Sequence, residues 1–137
     1  MCTRSAAIFL AGALFVACSG RREQQERAEA GRLGRAIDVL REAPNEGKRP
    51  LLRALENEPC SVAELCTLKQ TCVEAYTRHL RALDGVQASR RALESRDETD
   101  SRRVAELVRI SELELGAARK IGERCTELRG EVQRRYP

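Results

Sequence analysis

A chain of 137 residues has room for one domain and no second core. It carries 25 basic and 21 acidic side chains with the two signs interleaved, and its aromatic residues are two Phe and two Tyr. That balance argues against a nucleic-acid partner, which would need cations clustered on one face and aromatics on which bases can stack.

The first twenty residues differ from everything after them. They hold both phenylalanines, Phe9 and Phe15, a single base, Arg4, and no acid, and Ala6 to Ala17 is an unbroken run of twelve apolar or small residues. That length suits the apolar region of a signal peptide and falls well short of the roughly 20 residues a spanning helix needs. The run ends Leu14-Phe15-Val16-Ala17-Cys18-Ser19, which resembles the bacterial lipobox, although Phe15 stands where that family usually has leucine. The resemblance implies cleavage before Cys18, lipidation of Cys18, and a place in the bacterial cell envelope. By the same resemblance, Ser19 implies the outer membrane, facing the periplasm or the cell surface. On this reading residues 1–17 are a lipoprotein signal peptide, 18–32 a tether and 33–137 a helical domain.

Residues 19–32 contain no large apolar side chain and read as the tether, helical in part. Leu33, Ala36, Ile37 and Leu40 then share one helical face, and this short helix should stop before Pro44. Asn45-Glu46-Gly47 reads as a loop. Pro50 can open a second short helix that buries Leu51, Leu52 and Leu55 and ends near Pro59. Ser61-Val62-Ala63-Glu64 has the form of a capping box. After it Leu65, Leu68, Cys72, Tyr76, Leu80 and Leu83 recur at three- and four-residue intervals, with Val86 and Leu93 continuing the pattern. Asp84-Gly85 is a candidate kink. The polar stretch Ser95 to Ser101 predicts a chain reversal. A last helix is expected from about Arg102 to Gln133, with Val104, Leu107, Val108, Leu115, Ala118, Ile121, Cys125, Leu128 and Val132 along one side. From Ala118 the spacing is that of a coiled-coil seam. Gly116 and Gly122 fit either a close helix approach or a tolerated weak point. Glu74 with Arg78, Glu98 with Arg102 and Glu131 with Arg135 are i,i+4 pairs expected on exposed surface.

Without residues 1–17, Leu, Ile and Val make up about a fifth of the chain, the border below which chains stop folding unaided. A staple is therefore expected. Setting aside Cys2 and Cys18 leaves Cys60, Cys66, Cys72 and Cys125, an even number that in an exported chain reads as disulfides with three possible connectivities. Within one helix, Cys66 and Cys72 stand about 9 Å apart along the axis, and Cys60 and Cys72 about 18 Å, both too far to bridge. That leaves Cys60–Cys66 with Cys72–Cys125. Two antiparallel helices that reverse near residues 98–99 pair positions summing to about 197, as Cys72 and Cys125 do. The expected fold is all-α: a small disulfide-stapled helical bundle built on a long antiparallel hairpin, with two short N-terminal helices.

Metal chemistry is disfavoured, because successive members of Cys60, Cys66 and Cys72 have five residues between them where zinc and redox sites use C-x-x-C. His79 lies about 10 Å along the axis from Cys72, too far to share an ion. As the sole histidine, beside Tyr76 and Leu80, it reads as the edge of a packed face. Ser61, Ser95 and Ser111 read as caps, loop or helix surface, and Glu112 and Glu114 fall on different faces. No phosphate loop, dinucleotide fingerprint or nucleophile elbow is present. The expectation is a protein without catalytic, cofactor or metal residues, held to the membrane by lipid and presenting a helix surface to an envelope protein. The last helix's seam could also serve a second copy, though intramolecular packing is its first use. Two alternatives remain: a structural component held non-covalently on the cell wall, and a carrier of a small ligand or metal. Murein lipoproteins share the lipobox and helical body but end in the lysine that joins peptidoglycan, whereas this chain ends Arg134-Arg135-Tyr136-Pro137.

Overall fold

The computed structural model describes the backbone of residues 6–94 and 100–137, and the side chains of 20–94 and 101–137. Among the described residues the chain is all-α, with no strand. Helix α1 spans Ala6–Glu42, α2 Lys48–Asn57, α3 Ala63–Glu94 and α4 Asp100–Arg135, with a 3-10 turn at Asn45–Gly47. Two disulfides staple it, Cys60–Cys66 and Cys72–Cys125, with Cα–Cα separations of 5.4 and 5.0 Å. The expected reversal at Ser95 to Ser101, and with it the Glu98–Arg102 pair, falls largely outside the described residues.

The first helix is not short. The segment expected to start at Leu33 is the end of a 37-residue helix, and residues 19–32 are helical within it. Lack of large apolar side chains says little about helix propensity, and Arg, Glu, Gln and Ala are all good helix formers. Exposed pairs one turn apart, Arg22–Glu26 at 3.0 Å and Glu23–Arg27 at 2.8 Å, line this part of the helix. Packing begins at Glu29 and Ala30, both buried, several residues before the expected start of the domain. The helix stops one residue before Ala43, whose neighbour Pro44 disfavours helical backbone at the preceding position. Buried Lys48 completes the stop, since its Nζ donates to the carbonyls of Leu40 (2.8 Å) and Arg41 (3.0 Å). A cation is thereby set on orphan acceptors at the negative end of the helix.

Helix α2 accommodates Pro50 in its first turn, where no intrahelical N–H is required, and buries Leu52 and Leu55. The start of α3 departs from the expected capping box. The carboxylate of Glu29, reaching across from α1, accepts from Ser61 N (2.6 Å), Ser61 Oγ (2.5 Å) and Val62 N (3.3 Å). Glu64 instead meets Arg135 of α4 at 2.5 Å. A local box would have satisfied the Ser61 and Glu64 N–H groups; the carboxylate of Glu29 takes those of Ser61 and Val62 instead and brings its negative charge to the positive end of α3. Burial alone would raise the Glu29 pKa; the hydrogen bonds from Ser61 and Val62 outweigh it and hold the carboxyl below its ordinary value.

A depressed carboxylate contributes stability that is present above its unfolded pKa and lost as pH falls through the folded value. Glu29→Gln should therefore cost about 1 kcal/mol at neutral pH. That deficit should shrink in urea titrations carried below the ordinary carboxylate range, near 4.5. A deficit unchanged at low pH would contradict the assignment of the charged cap.

Helices α3 and α4 run antiparallel, as Glu64–Arg135, Cys72–Cys125 and the facing of Gly85 by Ser111 show at successive levels. Asp84-Gly85 does not interrupt α3. Leu33, Ile37 and Leu40 of α1 and Leu55 of α2 join Leu65, Leu68 and Cys72 of α3 and Leu128 and Val132 of α4 in a single core. Arg129 ties α1 to α4: its guanidinium lies over Gly34, where a Cβ would come within 2.6 Å, and donates to Asp38 at 3.0 Å.

Candidate functional site

The core cluster ends at Leu80 on α3 and Cys125 on α4, with Leu83 packed at its edge. Above that level the two helices approach through small side chains. Ala75, Ala82 and Ser89 on α3, and Ser111, Ala118 and Cys125 on α4, are buried at seven-residue spacing, the repeat that keeps one stripe facing a partner helix. The two serines need no partner across the seam, because Ser89 Oγ donates to Gly85 O (2.9 Å) and Ser111 Oγ to Leu107 O (2.7 Å). A Cβ at Gly85 would run into Ser111 Oγ, whereas Gly116 and Gly122 face open space.

Close approach is therefore the role of Gly85, and opposite substitution effects are expected at the two kinds of glycine. Gly85→Ala should cost about 1–2 kcal/mol by overpacking, most of it recovered when Ser111→Ala is added. Gly116→Ala should gain about 0.5–1 kcal/mol. Denaturant midpoints with unchanged slopes would measure both; a neutral Gly85→Ala would mean the seam is looser than described.

A seam this narrow pushes the larger aliphatics to its flanks. Val108 and Leu115, expected on the packed side of the last helix, are 41% and 44% exposed, and Val86 opposite them is 49% exposed. With Leu83, His79 and Glu112 they line an apolar groove of about 280 Å³ on one side of the helix pair. The groove continues towards the core as a second section of about 200 Å³, reached past His79 and Leu115 and lined by Arg41, Tyr76, Arg119 and Thr126. The other side of the pair is bridged by Arg78, which donates to Glu74 (3.1 Å) and Glu114 (3.2 Å).

His79 sits where the sections meet, its Nε2 3.2 Å from Asn45 Oδ1. Burial, with a smaller contribution from the Lys48 charge, lowers its pKa, so the ring is neutral at neutral pH. Tyr76 lies beneath Lys48, whose Nζ is 5.4 Å from the ring centroid; burial raises the Tyr76 pKa. Of the other residues singled out in the sequence, Ser61 is engaged by Glu29, Ser111 by Leu107 O, and Glu114 by Arg78, while Glu112 stands on the groove. Arg135 pairs with Glu64, and Glu131 instead lies 3.7 Å from Arg124. Ser95 lies outside the described residues, as does the side chain of Cys18, the expected lipidation position.

The structure brings into play residues that periodicity did not single out: Glu29, Lys48, Gly85 and Arg119. The seven-residue recurrence of Ala75, Ala82 and Ser89 was a signal in the sequence for the close seam. Among the described residues no group of three His, Cys, Asp or Glu side chains is placed to hold a metal ion, and no helix is long and apolar enough to cross a membrane. No protein-family model matches the chain, and no curated protein or solved structure matches it.

Proposed function

We propose that the chain is a lipid-tethered, non-catalytic adaptor of the bacterial cell envelope, anchored through Cys18 after loss of residues 1–17, and that the groove beside Val86 is where it engages an envelope protein. The observation that carries this reading is the uncovered groove itself: Val86, Val108 and Leu115 stand exposed together on a helix pair whose seam is already filled by small residues. Contiguous exposed aliphatics framed by polar side chains mark interaction surfaces. The disulfide-stapled antiparallel hairpin of α3 and α4 supplies the rigid support such a surface needs.

Direction favours the same reading. Glu29 of α1 meets Ser61 at the start of α3, and Arg41 meets Tyr76 further along, so the two helices point the same way. With Cys18 at the membrane, Val86 stands about 50 Å away along the helix axes at 1.5 Å per residue. A groove at that height faces envelope partners rather than the lipid that anchors the chain.

The test is a photo-crosslinking side chain placed at position 86 in intact cells, with a second at the exposed position 124 near the opposite end of α4. One recurring protein captured from 86 and not from 124 is the expected result. Capture of nothing from 86, with the protein retained on purified cell wall, would instead favour the structural role.

A further inference from the structure

The groove is the open half of a longer one whose other half is occupied. Against one face of the α3–α4 pair lies α1, its Leu33, Ile37 and Leu40 sharing a core with Leu65, Leu68 and Cys72 of α3 and Cys125, Leu128 and Val132 of α4. Helix α1 ends at Glu42 and the chain turns back through Asn45–Gly47 into α2. Past that point the same side of the α3–α4 pair continues uncovered, beginning at Arg41 and running up to Val86 and Val108. We infer that the groove receives an amphipathic helix of another protein, lying end to end with α1 and carrying carboxylates along its flanks. The inference rests on the reading of the groove as a docking face and names the occupant's chemistry.

Charge selects the acid. Among the side chains lining the two sections, Glu112 is the single carboxylate, against Arg41 and Arg119. Arg90, one turn beyond Val86, adds a third guanidinium to the same side. Arg119 enters no ion pair among the described residues. Arg41 has Asp38 at 4.0 Å, but that carboxylate is held more closely by Arg129 at 3.0 Å. The carbonyls of Leu40 and Arg41, which would otherwise repel an incoming acid, are already taken by Lys48.

Helix α1 shows what the occupant looks like. It places aliphatic side chains four and three residues apart at Leu33, Ile37 and Leu40, with Asp38 beside the stripe meeting Arg129 of α4. The occupant repeats that pattern, its carboxylates meeting Arg119 and Arg41. A helix, about 10 Å across, closes the open flank of the groove, whereas a single acyl chain leaves one side in water. A second copy is disfavoured because its own Arg90 and Arg119 would be brought against the same charges.

The test uses the full-length protein with its disulfides intact and two labelled peptides of about fourteen residues, four turns of helix. Both carry leucine at i, i+4, i+7 and i+11; one has glutamates on its flanks and the other lysines. Fluorescence anisotropy should show the acidic peptide binding at least about ten-fold more tightly, with the difference shrinking as salt rises. Arg119→Glu should erase most of that preference, and Val86→Asp should abolish binding. Val108→Asp serves as a second, independently exposed variant, and circular dichroism checks that both fold. Equal binding of the two peptides, displacement of the acidic peptide by dodecanoate at matched concentration, or a self-associated dimer lost in Val86→Asp would each overturn the inference. Crosslinking from position 86 in a Val108→Asp background separates the two levels. If the captured partner persists there, the docking face itself is misassigned; if it is lost and yet neither peptide binds, the face stands and the helical occupant falls.

Discussion

Replacing Cys72 and Cys125 together by alanine is expected to lower stability by about 3–4 kcal/mol and the melting midpoint by about 15 °C. The bridge joins residues 53 positions apart, so breaking it returns a long loop's worth of freedom to the unfolded chain. It also removes two buried sulfur atoms from the centre of the core, since Cys72 is 0% and Cys125 4% exposed. The Cys60–Cys66 bridge closes only six positions, and its loss should cost about 2 kcal/mol on the same chain-entropy argument. Thermal melts of the two double-alanine variants under oxidising conditions test the ranking. If loss of Cys60–Cys66 proved the more damaging, the α3–α4 staple would not be what holds this small core together.

Truncating Ile37 to alanine is expected to cost about 2–4 kcal/mol, while Leu113→Ala should change stability by less than about 0.5 kcal/mol. Ile37 is 0% exposed on α1, surrounded by residues of α3 and α4, and Leu113 is 62% exposed on α4. The contrast separates two uses of large aliphatic residues in a chain that has few of them. Those on α1 complete the core, and those on the upper part of α4 are available to something outside it. Urea denaturation of the two variants reads both values; an Ile37→Ala protein as stable as the parent would mean that α1 is only loosely docked.

The helices and the staple were legible from periodicity and helix rise. Cys66 and Cys72 are too far apart on one helix to bridge, and the polar stretch after Glu94 set a register in which Cys72 meets Cys125. The extent of α1 was not legible, because its first exposed turns carry no hydrophobic pattern; arginine, glutamate and glutamine hold them helical through propensity and pairs such as Arg22–Glu26. The start of α3 looked locally capped by Ser61 and Glu64, and only tertiary structure could bring Glu29 there from 32 residues away. On α4, Val108 and Leu115 fit the same apolar stripe as Ala118 and Cys125. Periodicity locates a stripe but not which of its edges faces inward, and the small seam residues Ser111 and Gly85 decided that. The groove emerged from this shift, together with Arg41 and Arg119, charged residues whose positions become informative only once α1 is seen to end part-way along the α3–α4 pair.

The most direct test of the account is a non-reducing peptide mass map of the protein purified from its native cells. The predicted result is an N-terminal peptide beginning at acylated Cys18, with Cys60 linked to Cys66 and Cys72 linked to Cys125. An unmodified N-terminus together with free thiols would contradict both the tether and the staple, and with them the proposal of a groove held out from a membrane.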